Sequence, residues 1–454
     1  MTAIWAEQAL LAGGWARDVT VRLDGDRIAG VAAGTARPPE AVPAGVLLPA
    51  PTNLHSHAFQ RAMAGLTERR GPDLRDSFWT WRRLMFRFLE RIAPEDLEAL
   101  AALVQMEMLE AGFAAVAEFH YLHHGPGGAP YADLGETSAR VAAAAATTGI
   151  GLTLLPVLYE RGGCDGRPLE AGQDRFGNDL DRFARLLERA EAALRPLPAD
   201  ARLGVAPHSL RAVRPESLQA AAALRPDGPL HMHLAEQTAE VEEVRAHLGA
   251  RPVAWLLAHA EVDARWCLIH CTQMEPPEVA GLAATGAVAG LCPITEASLG
   301  DGIFEGVAFL GAGGRWGVGS DSNLRVSLSE ELRGLEHSQR LRDRSRAALA
   351  TPGRSTGRVL LEGAASGGAQ AAGRAAGAIA PGLLADLVAL NAGALDLEGL
   401  RGDATLDAWI FAGDDRLVRD VWSAGRHAVE AGRHRGREAI LAAARRTLLR
   451  LREA

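Results

Sequence analysis

Residues 45–57 read Gly45-Val46-Leu47-Leu48-Pro49-Ala50-Pro51-Thr52-Asn53-Leu54-His55-Ser56-His57. An apolar run of strand composition gives out at Ala50-Pro51, and two imidazoles one residue apart follow it. On a strand, positions i and i+2 point to the same face, so both rings can meet one ion. An isolated His-x-His pair carries little weight. One that closes an apolar strand at the start of a strand–helix series carries much more.

That series is legible downstream. Strand-like runs are expected at residues 45–50, 114–120, 151–159, 202–208, 229–234, 266–270, 287–292 and 315–320. Helical patterns at residues 94–110, 133–148, 179–194, 215–224, 238–248 and 276–285 separate them. The first of these begins Pro94-Glu95-Asp96 and stops before Gly112, as helix-capping chemistry asks. Alternating strands and helices imply parallel strands with crossover helices, and eight such strands fit a closed (β/α)₈ barrel. Residues 1–45 read as short strands with an Asp24-Gly25 hairpin turn, and residues 380–391, 407–411 and 417–422 are strand-like again. The expected organisation is therefore a barrel over residues 46–369, a small β-sandwich built from residues 1–45 and 370–435, and an amphipathic helix at 436–454.

In a barrel, chemistry gathers at the C-terminal ends of the strands. There the chain places His55 and His57, then His233 with Glu236 three residues on, then His270, then Asp321. A metal that activates water takes three or four protein ligands and keeps one position open. His55, His57, His233 and Asp321 can supply three imidazoles and a carboxylate, leaving Glu236 and His270 to move protons. In His231-Met232-His233 the second histidine is preferred, because Glu236 can then overhang the ion. Cys164, Cys267, Cys271 and Cys292 lack paired spacing and read as packing thiols.

Composition narrows the class further. The chain has 454 residues, a net charge of −8 and 48% hydrophobic residues, which argues against nucleic acid as a partner. No apolar run is long enough to cross a membrane and no basic, secretory-type leader is evident, so a cytoplasmic protein is expected. All 48 basic residues are arginine, which excludes a carboxylated lysine bridging two metals. Metal chemistry should therefore be mononuclear, unless a Glu bridges.

Taken in order, these pieces resemble the amidohydrolase superfamily, and Pro381-Gly382-Leu383-Leu384-Ala385-Asp386 is similar to a segment of its C-terminal sandwich. Within it the chain resembles the N-formimino-L-glutamate deiminase family. The resemblance rests on Asn53-Leu54-His55-Ser56-His57-Ala58-Phe59-Gln60, on Ser77-Phe78-Trp79-Thr80-Trp81-Arg82 and on Glu118-Phe119-His120-Tyr121. It implies Zn²⁺ (Fe²⁺ suits the same ligands) on His55, His57, His233 and Asp321. It also implies that Glu236 and His270 are the acid/base pair, with Asp321 helping to orient the water. Gln60, Arg82 (with Arg83 beside it as the alternative), Tyr121, His208 and Arg211 would contact substrate. The implied reaction is hydrolytic deamination of N-formimino-L-glutamate in histidine breakdown. Guanidinium forks suit its two carboxylates.

Two other readings share the scaffold. One is a deaminase of a purine, pyrimidine or triazine ring. The other is a non-catalytic barrel that acts as an assembly partner, although such proteins lose ligands and none is missing here. A homodimer is expected only because such assemblies are common. Residues 78–88 carry an aromatic cluster that reads either as ordinary helix packing or as a lid.

Overall fold

The structure is a computed structural model that describes residues 2–68, 78–170 and 172–453, without the side chains of residues 78–83. Two arcs of parallel strand form the barrel. The first runs Thr52–Ser56, Ala115–His120, Gly151–Leu158 and Arg202–Leu203, with Ala206–Pro207 also paired to the third strand. The second runs Leu230–Leu234, Trp266–His270, Val288–Leu291 and Arg315–Val318. Two bridges close the arcs into a ring, Val205 with Leu230 on one side and Ser56 with Asp321 on the other. Leu54, Cys267, Ile269, Val288 and Cys292 pack together as one apolar cluster with Ala371.

The fourth strand is interrupted at Gly204-Val205. A Cβ on Gly204 would lie 2.4 Å from the Pro229 carbonyl oxygen, so the chain passes too close to its neighbour for a side chain.

The remaining strands form one eight-stranded sheet from both ends of the chain. Its centre is Val42–Pro49 paired antiparallel with Leu387–Leu390. The sheet curls until its far edge meets the returning chain, where Ala385 N donates to Asp26 O and Ile28 N donates to Leu383 O. Ile4, Val19, Val21, Leu47, Leu387 and Trp422 fill the space inside. Buried Arg374 ties this sheet to the barrel. Its Nε and Nη2 donate to the Asp386 carboxylate within the sheet domain, and its Nη1 donates to the carbonyl and carboxylate of Asp200, just before the fourth strand.

Several expectations are corrected. Residues 45–50 do not open the barrel: they belong to the strand Val42–Pro49 in the terminal sheet, and the first barrel strand is Thr52–Ser56. The passage between the two bodies thus falls at Ala50-Pro51, where proline removes a ladder donor, and not at residue 46. Residues 407–411, expected as strand, end the helix Asp403–Phe411. The C-terminal helix Arg437–Arg452 buries Ile440 and Ala444 against the helix Pro94–Ala111. Phe78–Leu89 is helical, and Phe88 and Leu89 lie in the core, which is ordinary packing. The lid reading depends on Phe78, Trp79 and Trp81, whose side chains lie outside what is described. Among the described residues, no helix is long and apolar enough to cross a membrane.

Candidate active site

The four sequence-chosen ligands come together at the strand ends. His55, His57, His233 and Asp321 each place a ligand atom within 4.8 Å of the others. His55 Nε2 lies 3.1 Å from His233 Nε2, and Asp321 Oδ1 lies 3.4 Å from His55 Nε2 and 3.2 Å from His57 Nε2. All four residues are buried.

Backbone geometry sets this convergence. Gly319 follows the last strand, and a Cβ there would meet the His55 backbone nitrogen at 2.6 Å. The missing side chain lets the two strand ends pair directly: Asp321 N donates to His55 O, and His57 N donates to Asp321 O. Asp321 pays for its inward aim with φ of 45°, and His270 with φ of 72°, both in the region that non-glycine residues avoid. Side chains reinforce the seam. Asn53 donates to Ser320 Oγ, Ser320 donates to Asn323 Oδ1, and Asn323 donates to Ser56 Oγ.

The donor set fits a divalent cation. His57 Nδ1 donates to Phe119 O and His233 Nδ1 donates to His208 O, which fixes both protons on the outer nitrogens. Their Nε2 lone pairs therefore face inward. Burial lowers the pKa of His55, His57 and His233, although Asp321 opposes it at His57, so the rings are held neutral as ligands must be. Carboxylates crowd the same space. Burial lifts Asp301 to about 9, with Glu236, Glu296 and Asp321 adding to the rise. A cation would relieve that repulsion.

Glu236 and His270 border the set. His270 Nε2 lies 3.8 Å from Glu236 Oε1 and 3.9 Å from Asp321 Oδ2. Burial raises Glu236 to about 7 against the pull of His270. Burial works to lower His270, but Glu236, Glu296 and Asp321 outweigh it and hold the ring well above the usual range.

Gln60, Tyr121, His208 and Arg211 line one cavity together with His57, His233, Glu236, His270 and Asp321. Gln60 Nε2 donates to Tyr121 Oη at 2.7 Å, leaving Gln60 Oε1 buried without a partner. Arg211 Nε is buried and unpartnered as well. The Arg82 and Arg83 side chains lie outside the described residues.

Other histidines and acids at strand ends do not join the site. His231 bonds to Ala371 O, His120 bonds to Thr137, and Glu160 accepts from Arg214 N and Ser217 Oγ at the start of a helix. Three acids that sequence reasoning passed over hold the site in place. Glu296 accepts from His270 Nδ1 at 3.2 Å and from Cys292 N. Glu118 accepts from Ala58 N, just after His57. Glu240 accepts from Ala235 N and Glu236 N. Glu118 and Glu296 reach segments remote in sequence, whereas Glu240 caps the turn just before its own helix, and only the nearness of Glu118 to Tyr121 in sequence hinted at any of them.

A closed strand–helix ring with three imidazoles and an aspartate at its mouth is the layout of a barrel hydrolase with the donors to hold a metal ion. The amidohydrolase family matches residues 46–428, and the N-terminal domain of formimidoylglutamate deiminase HutF matches residues 1–41. The chain is 50% identical to formimidoylglutamate deiminase of Pseudomonas aeruginosa over 96% of its own length and 97% of that protein. It is 28% identical to 8-oxoguanine deaminase of the same organism over 85% of its length and 83% of that protein. An amidohydrolase structure from Brucella melitensis superposes with TM-score 0.95 at 48% identity, covering 99% of this chain and 100% of that one. A zinc-bound adenosine deaminase from Xanthomonas campestris shares the fold alone, with TM-score 0.84 at 22% identity, covering 100% and 99%. The chain belongs to the amidohydrolase family, and within it to the formimidoylglutamate deiminases.

Proposed function

We propose that this chain hydrolyses N-formimino-L-glutamate to N-formyl-L-glutamate and ammonia, a step of histidine degradation. The observation that carries the reading is the shared cavity: His57, His233 and Asp321 of the quartet, the Glu236–His270 pair and Arg211 all line it, with His55 buried beside them. The 50% identity to a formimidoylglutamate deiminase over nearly both full lengths supports the substrate.

His55, His57, His233 and Asp321 would hold one Zn²⁺, with Fe²⁺ suited to the same donors. When bound there, the cation supplies a water acidified enough to attack near neutral pH. Asp321 orients that water. His270 Nε2, between Asp321 and Glu236, takes and returns protons. Oxygen adds to the formimino carbon, the bond to the terminal nitrogen breaks, and Glu236 protonates that nitrogen so that it leaves as ammonia. Arg211 pairs with a substrate carboxylate, Arg82 is proposed for the other, and Gln60, Tyr121 and His208 place the amidine. A cytoplasmic homodimer is part of the same proposal.

The test is ammonia release from formiminoglutamate against a panel of other amidines and aminated heterocycles. Activity confined to formiminoglutamate is expected. Higher activity on a purine or triazine ring would replace this substrate.

A further inference from the structure

The two oxygens of Asp321 face different neighbours. Oδ1 lies toward His55 and His57, whereas Oδ2 lies toward His270 Nε2 at 3.9 Å. On that second side the barrel brings in a thiol. Cys292 follows the strand Val288–Leu291, and His270, Cys292 and Asp321 each place a ligand atom within 4.8 Å of the others. All three residues are buried. His270 Nδ1 is engaged by Glu296, so Nε2 is the nitrogen turned to Asp321.

This set has its own donor chemistry. A buried ion needs its charge matched by its ligands. The Cys292 thiolate brings one negative charge, Asp321 is shared with the primary ion, Glu236 and Glu296 beside His270 supply further negative charge, and the imidazole adds a third donor. Sulfur with nitrogen selects borderline or soft metals such as Zn²⁺ and Cd²⁺, whereas Mg²⁺ and Ca²⁺ prefer oxygen. His270 and Asp321 also line the cavity, so a cation entering there reaches the set. A carboxylate shared through its two oxygens is how paired metal centres are commonly bridged, with ions about 3.5–4 Å apart.

We propose that His270, Cys292 and Asp321 form a second, inhibitory site for a thiophilic divalent cation. The proposal rests on reading His55, His57, His233 and Asp321 as the primary site. On binding, the Cys292 thiol and the His270 ring each release a proton to solvent as the metal–sulfur and metal–nitrogen bonds form. The ion occupies His270 Nε2, which then carries no proton for catalysis, and turnover stops.

The experiment loads the protein with one equivalent of Zn²⁺ and titrates it with Cd²⁺. Ammonia release and the ultraviolet thiolate-to-cadmium charge-transfer band are followed together. One further equivalent should bind, the band should appear, and activity should fall by about 10² or more. Cys292→Ala and Cys292→Ser should lose both band and inhibition while keeping the activity of the zinc-loaded parent. Cys271→Ala should keep both responses. Absence of the band in the parent, or undiminished inhibition in both Cys292 variants, would overturn the proposal. Uptake of the first zinc is measured separately. A parent that refuses it yet shows a Cys292-dependent band contradicts the primary site and upholds this one.

Discussion

His270 Nδ1 and Glu296 Oε1 lie 3.2 Å apart, both buried. The carboxylate fixes the ring's proton on the outer nitrogen and turns Nε2 toward Glu236 and Asp321. Glu296→Gln retains an oxygen for Cys292 N but loses the charge beside the ring. It should lower kcat by about 10- to 100-fold with metal content unchanged. Steady-state kinetics beside metal analysis checks this, and a parental kcat would remove Glu296 from the positioning of His270.

Glu236→Gln should bind metal normally and lose about 10² or more in kcat. The acid role needs a protonated carboxyl. Because burial lifts Glu236 to about 7, kcat/KM of the parent should decline as pH rises through about 7. A flat pH profile, or near-parental turnover in the variant, would contradict the assignment.

Arg211 lines the cavity, and its Nε is buried without a partner. Removing a charged hydrogen-bond donor from a carboxylate costs about 1.5–3 kcal/mol. Arg211→Met should therefore raise KM by roughly 10- to 100-fold, with a smaller change in kcat. An unchanged KM would place the substrate carboxylates elsewhere.

Burial raises Glu118 from 4.5 to about 7, although Ala58 N and Ser56 both donate to it. Between those values the folded chain keeps a proton that the unfolded chain has lost, so stability falls as pH rises across the window. The contribution is on the order of 3 kcal/mol. Glu118→Gln cannot titrate. Denaturant unfolding should find it more stable than the parent near pH 8 and close to it near pH 4. Equal differences at both pH values would show that Glu118 does not titrate in that window.

The barrel and the His/Asp cluster at its mouth were legible because their signals are local. An HxH after a strand, a His-x-x-Glu and an Asp among small residues each mark a strand end. The opening strand was misplaced because the apolar run lies in Val42–Pro49, whereas the barrel strand Thr52–Ser56, two residues on, carries polar side chains that are nonetheless buried. Composition cannot tell a strand of the terminal sheet from a strand of the barrel when both are buried. Residues 407–411 were read as strand because Trp409, Ile410 and Phe411 are apolar and bulky, yet Asp403 begins a helix whose Trp409 and Ile410 are buried. Glu296, Glu118 and Glu240 were missed for a different reason. Glu118 bonds Ala58 N and Glu296 bonds His270 from remote segments, which leaves no spacing signature, whereas Glu240 caps the turn four and five residues before it, a local signal that was not used.

The central claim is that His55, His57, His233 and Asp321 hold one cation. Metal analysis of protein purified without chelator, with His57→Ala and His233→Ala beside it, tests this most directly. The parent should hold about one divalent transition metal per chain, and each variant less than about a tenth of that. A folded parent without metal, or variants that retain the parental content, would contradict it.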